Sequence, residues 1–193
     1  MAYALWAMMQ PAQAAQVDSA TSNDPQAAPG RTDFGLTNAI TTASDFIGGF
    51  VNSLTGWDVS KIPAQYVGAI GNAERANGIP MFMLARLLWQ ESHYRADIIS
   101  GKTVSSAGAL GIAQIVPKWH PNVDPLDPFA SIAYAGQYLG SLYKKYGDWA
   151  EALAAYNWGP GNLDNYGIAN APAETRAYYK SILADIGMST GVA

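Results

Sequence analysis

The 193-residue chain has no cysteine, which excludes disulfide staples, thiolate metal sites and a cysteine nucleophile. It has two histidines, His93 and His120, too few for a His-rich metal centre. Charge is scarce as well. Only 13% of residues are Asp, Glu, Lys or Arg, and the formal net charge of −4 leaves no basic footprint for nucleic acid. The single basic pair, Lys144-Lys145, falls where a helix would turn it to solvent. The early apolar run from Tyr3 to Met9 is too short to span a bilayer. No internal repeat and no series of alternating strands is present. What remains is a chain that is 49% apolar and long enough to bury a substantial core.

Composition divides the chain. Residues 1–32 pair the short apolar run with Gln10-Pro11-Ala12-Gln13-Ala14 and then a Ser/Asn/Asp/Pro tract. Ala12-Gln13-Ala14 is like a signal-peptide cleavage site, but no Lys or Arg precedes the run, so the charged start of a signal peptide is missing. A tail of this kind is expected to gain order only by docking onto a partner. In residues 33–58, Phe34, Leu36, Ile40, Phe46, Ile47, Phe50, Val51, Leu54 and Trp57 recur mostly at three- and four-residue steps. This predicts an amphipathic helix thinned at Gly48-Gly49, packed on the domain, docked in an assembly or touching a membrane. The absence of Lys and Arg from its polar face weakens the membrane reading.

Residues 59–187 read as a helical domain, followed by a short tail at 188–193. The pattern predicts a helix over 64–77 with Gly78 after it, and a second helix opened by Pro80. Residues 97–111 lack helical period and read as a loop, with room for a small hairpin. Asp127-Pro128 opens a helix running to Tyr146, whose small residues (Ala130, Ala133, Ala135, Gly136, Gly140) permit close packing. Asp148 and Glu151 have capping-box spacing for the next helix, which is expected to stop at Gly159-Pro160-Gly161. A last helix covers about 173–186. The fold class expected is mainly α, with a small irregular or hairpin region and an extended N-terminal segment.

Chemistry concentrates at Glu91. On a helix it shares a face with Leu84, Leu87 and Leu88, so one carboxylate occupies the apolar stripe. An unpartnered buried carboxyl keeps its proton towards neutral pH, as a general acid must. The competing reading pairs Glu91 with Arg95 one turn on, and spacing alone leaves both open. Three more stretches carry polar and aromatic groups: Ser105 to Pro117, Ala152 to Gly161 and Glu174 to Tyr179. The glycines of the first allow close backbone approach, and Gln114 offers a donor and an acceptor suited to an amide or sugar hydroxyl. Each stretch alone is equally consistent with a turn, a helix stop or a core tyrosine.

In this order, Glu91-Ser92, Gly108-Ala109-Leu110-Gly111-Ile112-Ala113-Gln114 with Pro117, Ala155-Tyr156-Asn157-Trp158-Gly159-Pro160-Gly161 and Glu174-Thr175 with Tyr178 resemble the soluble lytic transglycosylase domain, a relative of goose-type lysozyme. The resemblance covers about residues 62–186. It implies a lysozyme-like helical fold with a groove for a glycan strand, Glu91 as the single catalytic residue, and no metal or organic cofactor. It places Gln114, Tyr156 and Asn157 at sugar-binding positions and Tyr178 beside the glutamate. The family serine that orients the N-acetyl group falls on Ser105 or, counted from Glu91, on Ser100; Ser105 is preferred. Ala113 stands where the family has Met, which should open the groove wall slightly. The loop after Glu91 is longer than usual.

The implied reaction cleaves the β-1,4 bond between N-acetylmuramic acid and N-acetylglucosamine and leaves a 1,6-anhydromuramoyl end. The alternative is a hydrolytic, lysozyme-like enzyme that uses a second carboxylate. Asp97, the only other acid between Glu91 and Gln114, is the candidate. Arg95 is expected to point away from Glu91. A reading from a different class makes the protein a structural component of an assembly with a secondary enzyme domain. The N-terminal segments favour a phage virion protein that opens the cell wall locally from the periplasm, with a bacterial envelope enzyme as the alternative.

Overall fold

The computed structural model describes residues 56–189. The segments 1–32 and most of 33–58, together with the end of the C-terminal tail, lie outside the described residues. Among the described residues seven helices follow one another: α1 (Ala64–Ala76), α2 (Met83–Ser92), α3 (Ala96–Ile99), α4 (Pro128–Tyr146), α5 (Trp149–Trp158), α6 (Pro160–Tyr166) and α7 (Ala173–Asp185). Short 3-10 turns precede α1 (Val59–Lys61) and α7 (Ile168–Asn170). Among the described residues there is no strand, only an isolated bridge between Leu110 and Ile115. The domain is mainly α, and the region that had room for a hairpin carries that single bridge.

The core gathers around α2 and α5. Met83, Leu84, Leu87 and Leu88 on α2 are wholly buried, as are Ala152 to Ala155 on α5. Burying each such leucine contributes roughly 2 kcal/mol. Helix α5 packs against α4, α6 and α7, and α2 lies against α1 and α7. The small residues of α4 do what their size predicts. A Cβ on Gly136 would come within 2.9 Å of the Ala73 Cβ, and one on Gly140 within 2.9 Å of the Asn77 Cβ, so α1 and α4 meet almost backbone to backbone.

Most capping expectations hold. The Asp127 carboxylate accepts the amides of Phe129 and Ala130, Pro128 is the first residue of α4, and Gly147 ends it at φ 74°. Asp148 accepts the Glu151 amide at the start of α5.

Two expectations are corrected and one is extended. Pro80 does not open α2; the helix begins at Met83, and Phe82 precedes it in the left-handed region at φ 67°. The reason is tertiary, because Glu74 of α1 captures the amides of Phe82, Leu84 and Ala85. Gly159, at φ 94°, ends α5 as expected, and Pro160 then starts a further helix, α6, that the sequence reading lacked. The loop at 97–111 begins inside α3, a single turn that spacing was too short to reveal.

Candidate active site

Glu91 sits in the last turn of α2, on the edge of the stripe formed by the buried leucines. It is partly exposed, and burial of its carboxyl pushes its pKa up from 4.5 to about 7. The opposing influence is Tyr178 of α7, whose hydroxyl donates to Glu91 Oε1 at 2.5 Å. The group is therefore partly protonated at neutral pH, and one oxygen already has a donor in place for the ionised state.

Both ends of α2 are clamped. At the N-terminus the buried Glu74 carboxyl accepts from Leu84 N at 3.0 Å, Phe82 N at 3.2 Å and Ala85 N at 3.3 Å. Burial lifts its pKa to about 8 despite these three amides. At the C-terminus His93 (φ 51°) and Tyr94 (φ 54°) both adopt the left-handed conformation, which costs a non-glycine residue about 1 kcal/mol or more. Two contacts hold the turn. The Tyr94 hydroxyl donates to the Ala85 carbonyl at 2.8 Å, and the buried Ser92 hydroxyl accepts the Tyr94 amide at 3.2 Å. The strain thus lies directly beside Glu91.

Arg86 joins α2 to α7. It is 6% exposed, pairs with Asp185 at 2.6 Å and donates to Gln90 at 2.9 Å. This ion pair fixes the helix bearing Glu91 against the helix bearing Tyr178.

Tyr156 and Asn157 lie at the end of α5. The Tyr156 hydroxyl donates to the Ala113 carbonyl at 3.2 Å, tying α5 to the glycine-rich loop. Burial raises the pKa of Tyr156 and Tyr178 well above 10, and the nearby Glu91 charge adds to both shifts, so both phenols stay protonated. Thr175 of α7 donates to Asn157 Oδ1 at 2.8 Å, which orients the amide and leaves its Nδ2 donors for a ligand. Gln114 is partly exposed at φ 47°, and its Nε2 donates to the Gly111 carbonyl at 3.0 Å. Gly111 is required sterically: at φ 73°, a Cβ there would lie 1.8 Å from the Pro125 carbonyl oxygen. Ala113 is buried and meets the site through its carbonyl.

The remaining residues singled out from the sequence lie in the loop after α2. Ser105 is exposed, and its hydroxyl accepts the Ala109 amide at 2.9 Å, so it staples the turn that leads into Gly111. Ser100 bonds the Asp97 carbonyl. Arg95 pairs with Asp97 at 2.6 Å rather than with Glu91, and Thr103 takes the same carboxylate oxygen at 2.8 Å. These partners hold the Asp97 pKa below its usual value.

Glu74 and Arg86 escaped the sequence reading, and Thr175 entered it only as part of a motif, without a role. Glu74 had a signal. Tyr66, Ile70 and Glu74 follow at four-residue steps, so an acid interrupts the apolar face of α1 as Glu91 interrupts that of α2. The pairings of Arg86 and Thr175 had none, because their partners are 99 and 18 residues away.

Comparison with known proteins identifies the family. The family model of the transglycosylase SLT domain matches residues 68–179, a span that includes Glu91, Gln114, Tyr156, Asn157 and Tyr178. The chain is also similar to the peptidoglycan transglycosylase gp16 of Escherichia phage T7, with 30% identity over 136 residues. That match covers 65% of this chain and 9% of the relative, so the chain spans a small part of the relative's length. The chain belongs to the transglycosylase SLT domain family.

Proposed function

We propose that the protein is a peptidoglycan lytic transglycosylase that cleaves the N-acetylmuramic acid–β-1,4–N-acetylglucosamine bond with Glu91 as acid and then base. The observation that carries this is the Glu91–Tyr178 pair: a carboxyl with a pKa near 7 and a 2.5 Å donor on one oxygen. With Oε1 engaged, the proton of neutral Glu91 resides on Oε2. Transfer of that proton to the glycosidic oxygen breaks the bond to the muramoyl C1 as positive charge develops on the ring. The resulting carboxylate is stabilised by Tyr178. It then takes the proton of the muramoyl 6-hydroxyl as O6 bonds to C1, closing the 1,6-anhydro ring and restoring neutral Glu91. Asn157 Nδ2 and the Gln114 side chain are assigned to the sugar and its N-acetyl group. The serine at the N-acetyl position is Ser105, whose bond to Ala109 sets the loop.

The hydrolytic alternative needs a second carboxylate to activate water or act as nucleophile. Asp97 is occupied by Arg95 and Thr103, which disfavours it in that role. The similarity to a phage protein, together with the sequence of residues 1–58, supports a place in a phage particle. There the N-terminal segments would dock onto a protein partner, and the domain would open the cell wall locally from the periplasm.

The test is mass spectrometry of muropeptides released from purified peptidoglycan by the wild type and by Glu91→Gln. Products one water lighter than reducing ends, absent with the variant, are expected. Ordinary reducing ends would establish a hydrolase and overturn the anhydro step. Detection of the chain in purified phage particles tests the assembly role.

A further inference from the structure

The turn that ends α2 is held from the far end of the helix. Tyr94 lies two residues beyond Ser92, the last residue of α2, and its hydroxyl reaches back nine positions to donate to the Ala85 carbonyl at 2.8 Å. Ala85 sits in the first turn of α2, where its amide is already held by Glu74 of α1 at 3.3 Å. Burial, and secondly the nearby Glu74 charge, raise the Tyr94 pKa far above its usual range, so the phenol keeps the proton it donates. The ring itself stacks on Tyr66 of α1 at 6.4 Å and meets Trp89 of α2 at 6.2 Å. The Tyr94 amide donates to Ser92 Oγ at 3.2 Å, and that hydroxyl donates in turn to the Leu88 carbonyl at 3.0 Å. Tyr94 thus ties the end of α2 to its beginning. Tyr178 of α7 and Tyr156 of α5 are the titratable groups that face Glu91, and Glu74 faces Tyr94.

We propose that Tyr94 is a positioning residue for Glu91: its hydroxyl holds the left-handed His93-Tyr94 turn, and the turn keeps the Glu91 carboxyl within hydrogen-bond reach of Tyr178. The φ values of 51° and 54° are strained for non-glycine residues, so the turn relaxes when its tether is lost. Glu91 stands three residues before Tyr94, in the last turn of α2, and moves with that turn. Its 2.5 Å bond to Tyr178 tolerates little displacement. Tyr94→Phe keeps both ring contacts and removes only the bond to Ala85, so it isolates the hydroxyl. The effect on rate rests on the glycan-cleavage reading above; the effect on the Glu91–Tyr178 bond does not.

The test reads Glu91 directly, apart from cleavage. NMR of protein carrying isotope-labelled glutamate follows the carboxyls of Glu74, Glu91, Glu151 and Glu174, and Glu91→Gln identifies the Glu91 signal. In Tyr94→Phe the Glu91 titration should move up by about half a unit or more, and no further than in Tyr178→Phe, because the Tyr178 donor is what is lost. Adding Tyr94→Phe to Tyr178→Phe should move it no further. In muropeptide release, Tyr94→Phe should lower kcat about three- to tenfold and leave KM within about twofold. If Tyr94→Phe does not fold, Ser92→Ala, which removes the acceptor of the Tyr94 amide, takes its place with the same expectations. A Glu91 titration that stays in place in the folded variant, or that moves as far again in the Tyr178→Phe background, overturns the proposal whatever the loss in melting temperature. If wild-type protein releases no anhydro ends while the Glu91 titration moves as expected, the catalytic reading fails and the positioning role stands.

Discussion

Tyr178→Phe should move the pH profile of cleavage upward while lowering its height. Glu91 must be protonated to act first, so kcat/KM should fall as pH rises through about 7 in the wild type. The Tyr178 hydroxyl is the one influence that lowers this pKa, against the larger effect of burial. A hydrogen bond to a charged group is worth about 1.5–3 kcal/mol, and one pH unit corresponds to about 1.4 kcal/mol. Removing the hydroxyl should therefore carry the descending limb upward by about one to two units. The rate should fall about ten- to a hundredfold, because the carboxylate formed in the acid step loses its donor. The assay is release of soluble muropeptides from peptidoglycan between pH 5 and about 9, with the limb fitted for each protein. A limb that stays in place or moves down would refute the reasoning, since Tyr178 would then not be stabilising the ionised form.

Other expectations follow from the same buried groups. Glu91 holds its proton more tightly folded than unfolded, so it favours the fold below about pH 4.5, and that contribution is lost as pH rises towards about 7. Glu91→Gln should then melt higher than wild type at pH 8, by at most about 3 kcal/mol of stability, and the gap should close near pH 4; thermal melts at the two pH values check this. Glu74→Ala strips three amides at the start of α2 of their acceptor and should cost about 3 kcal/mol or more, seen as a melting temperature about 10 °C lower together with reduced activity. Gly111→Ala forces a Cβ into the Pro125 carbonyl at a positive φ and should cost at least about 2 kcal/mol, measured by denaturant unfolding. Asp97→Asn should still yield anhydro ends at close to the wild-type rate, whereas loss of activity in this variant would revive the hydrolase.

The parts of the molecule legible from the sequence were those set by neighbours in the chain. Asp127-Pro128 and Gly147 bound α4 because capping is local, and Glu91 stood out because a charge on a leucine stripe is a periodicity signal. The Gly136 and Gly140 contact was readable because missing side chains permit close helix approach whichever helix arrives. Order and spacing of the motifs named the family, since four short patterns in sequence are far more specific than any one of them.

What the sequence left open was settled by contacts between distant segments. Glu91 could have paired with Arg95 by spacing. The left-handed turn at His93 and Tyr94 instead sends the chain into a loop where Arg95 meets Asp97. The start of α2 is displaced from Pro80 to Met83 by Glu74, a residue of another helix that no local rule connects to it. Tyr178 reaches Glu91 across 87 positions because Arg86 and Asp185 lock their two helices together. From the sequence alone, the residue types, their helical faces and the likelihood of a protonated acid are determined. Its pKa and its donor exist only once burial and long-range packing bring those faces together.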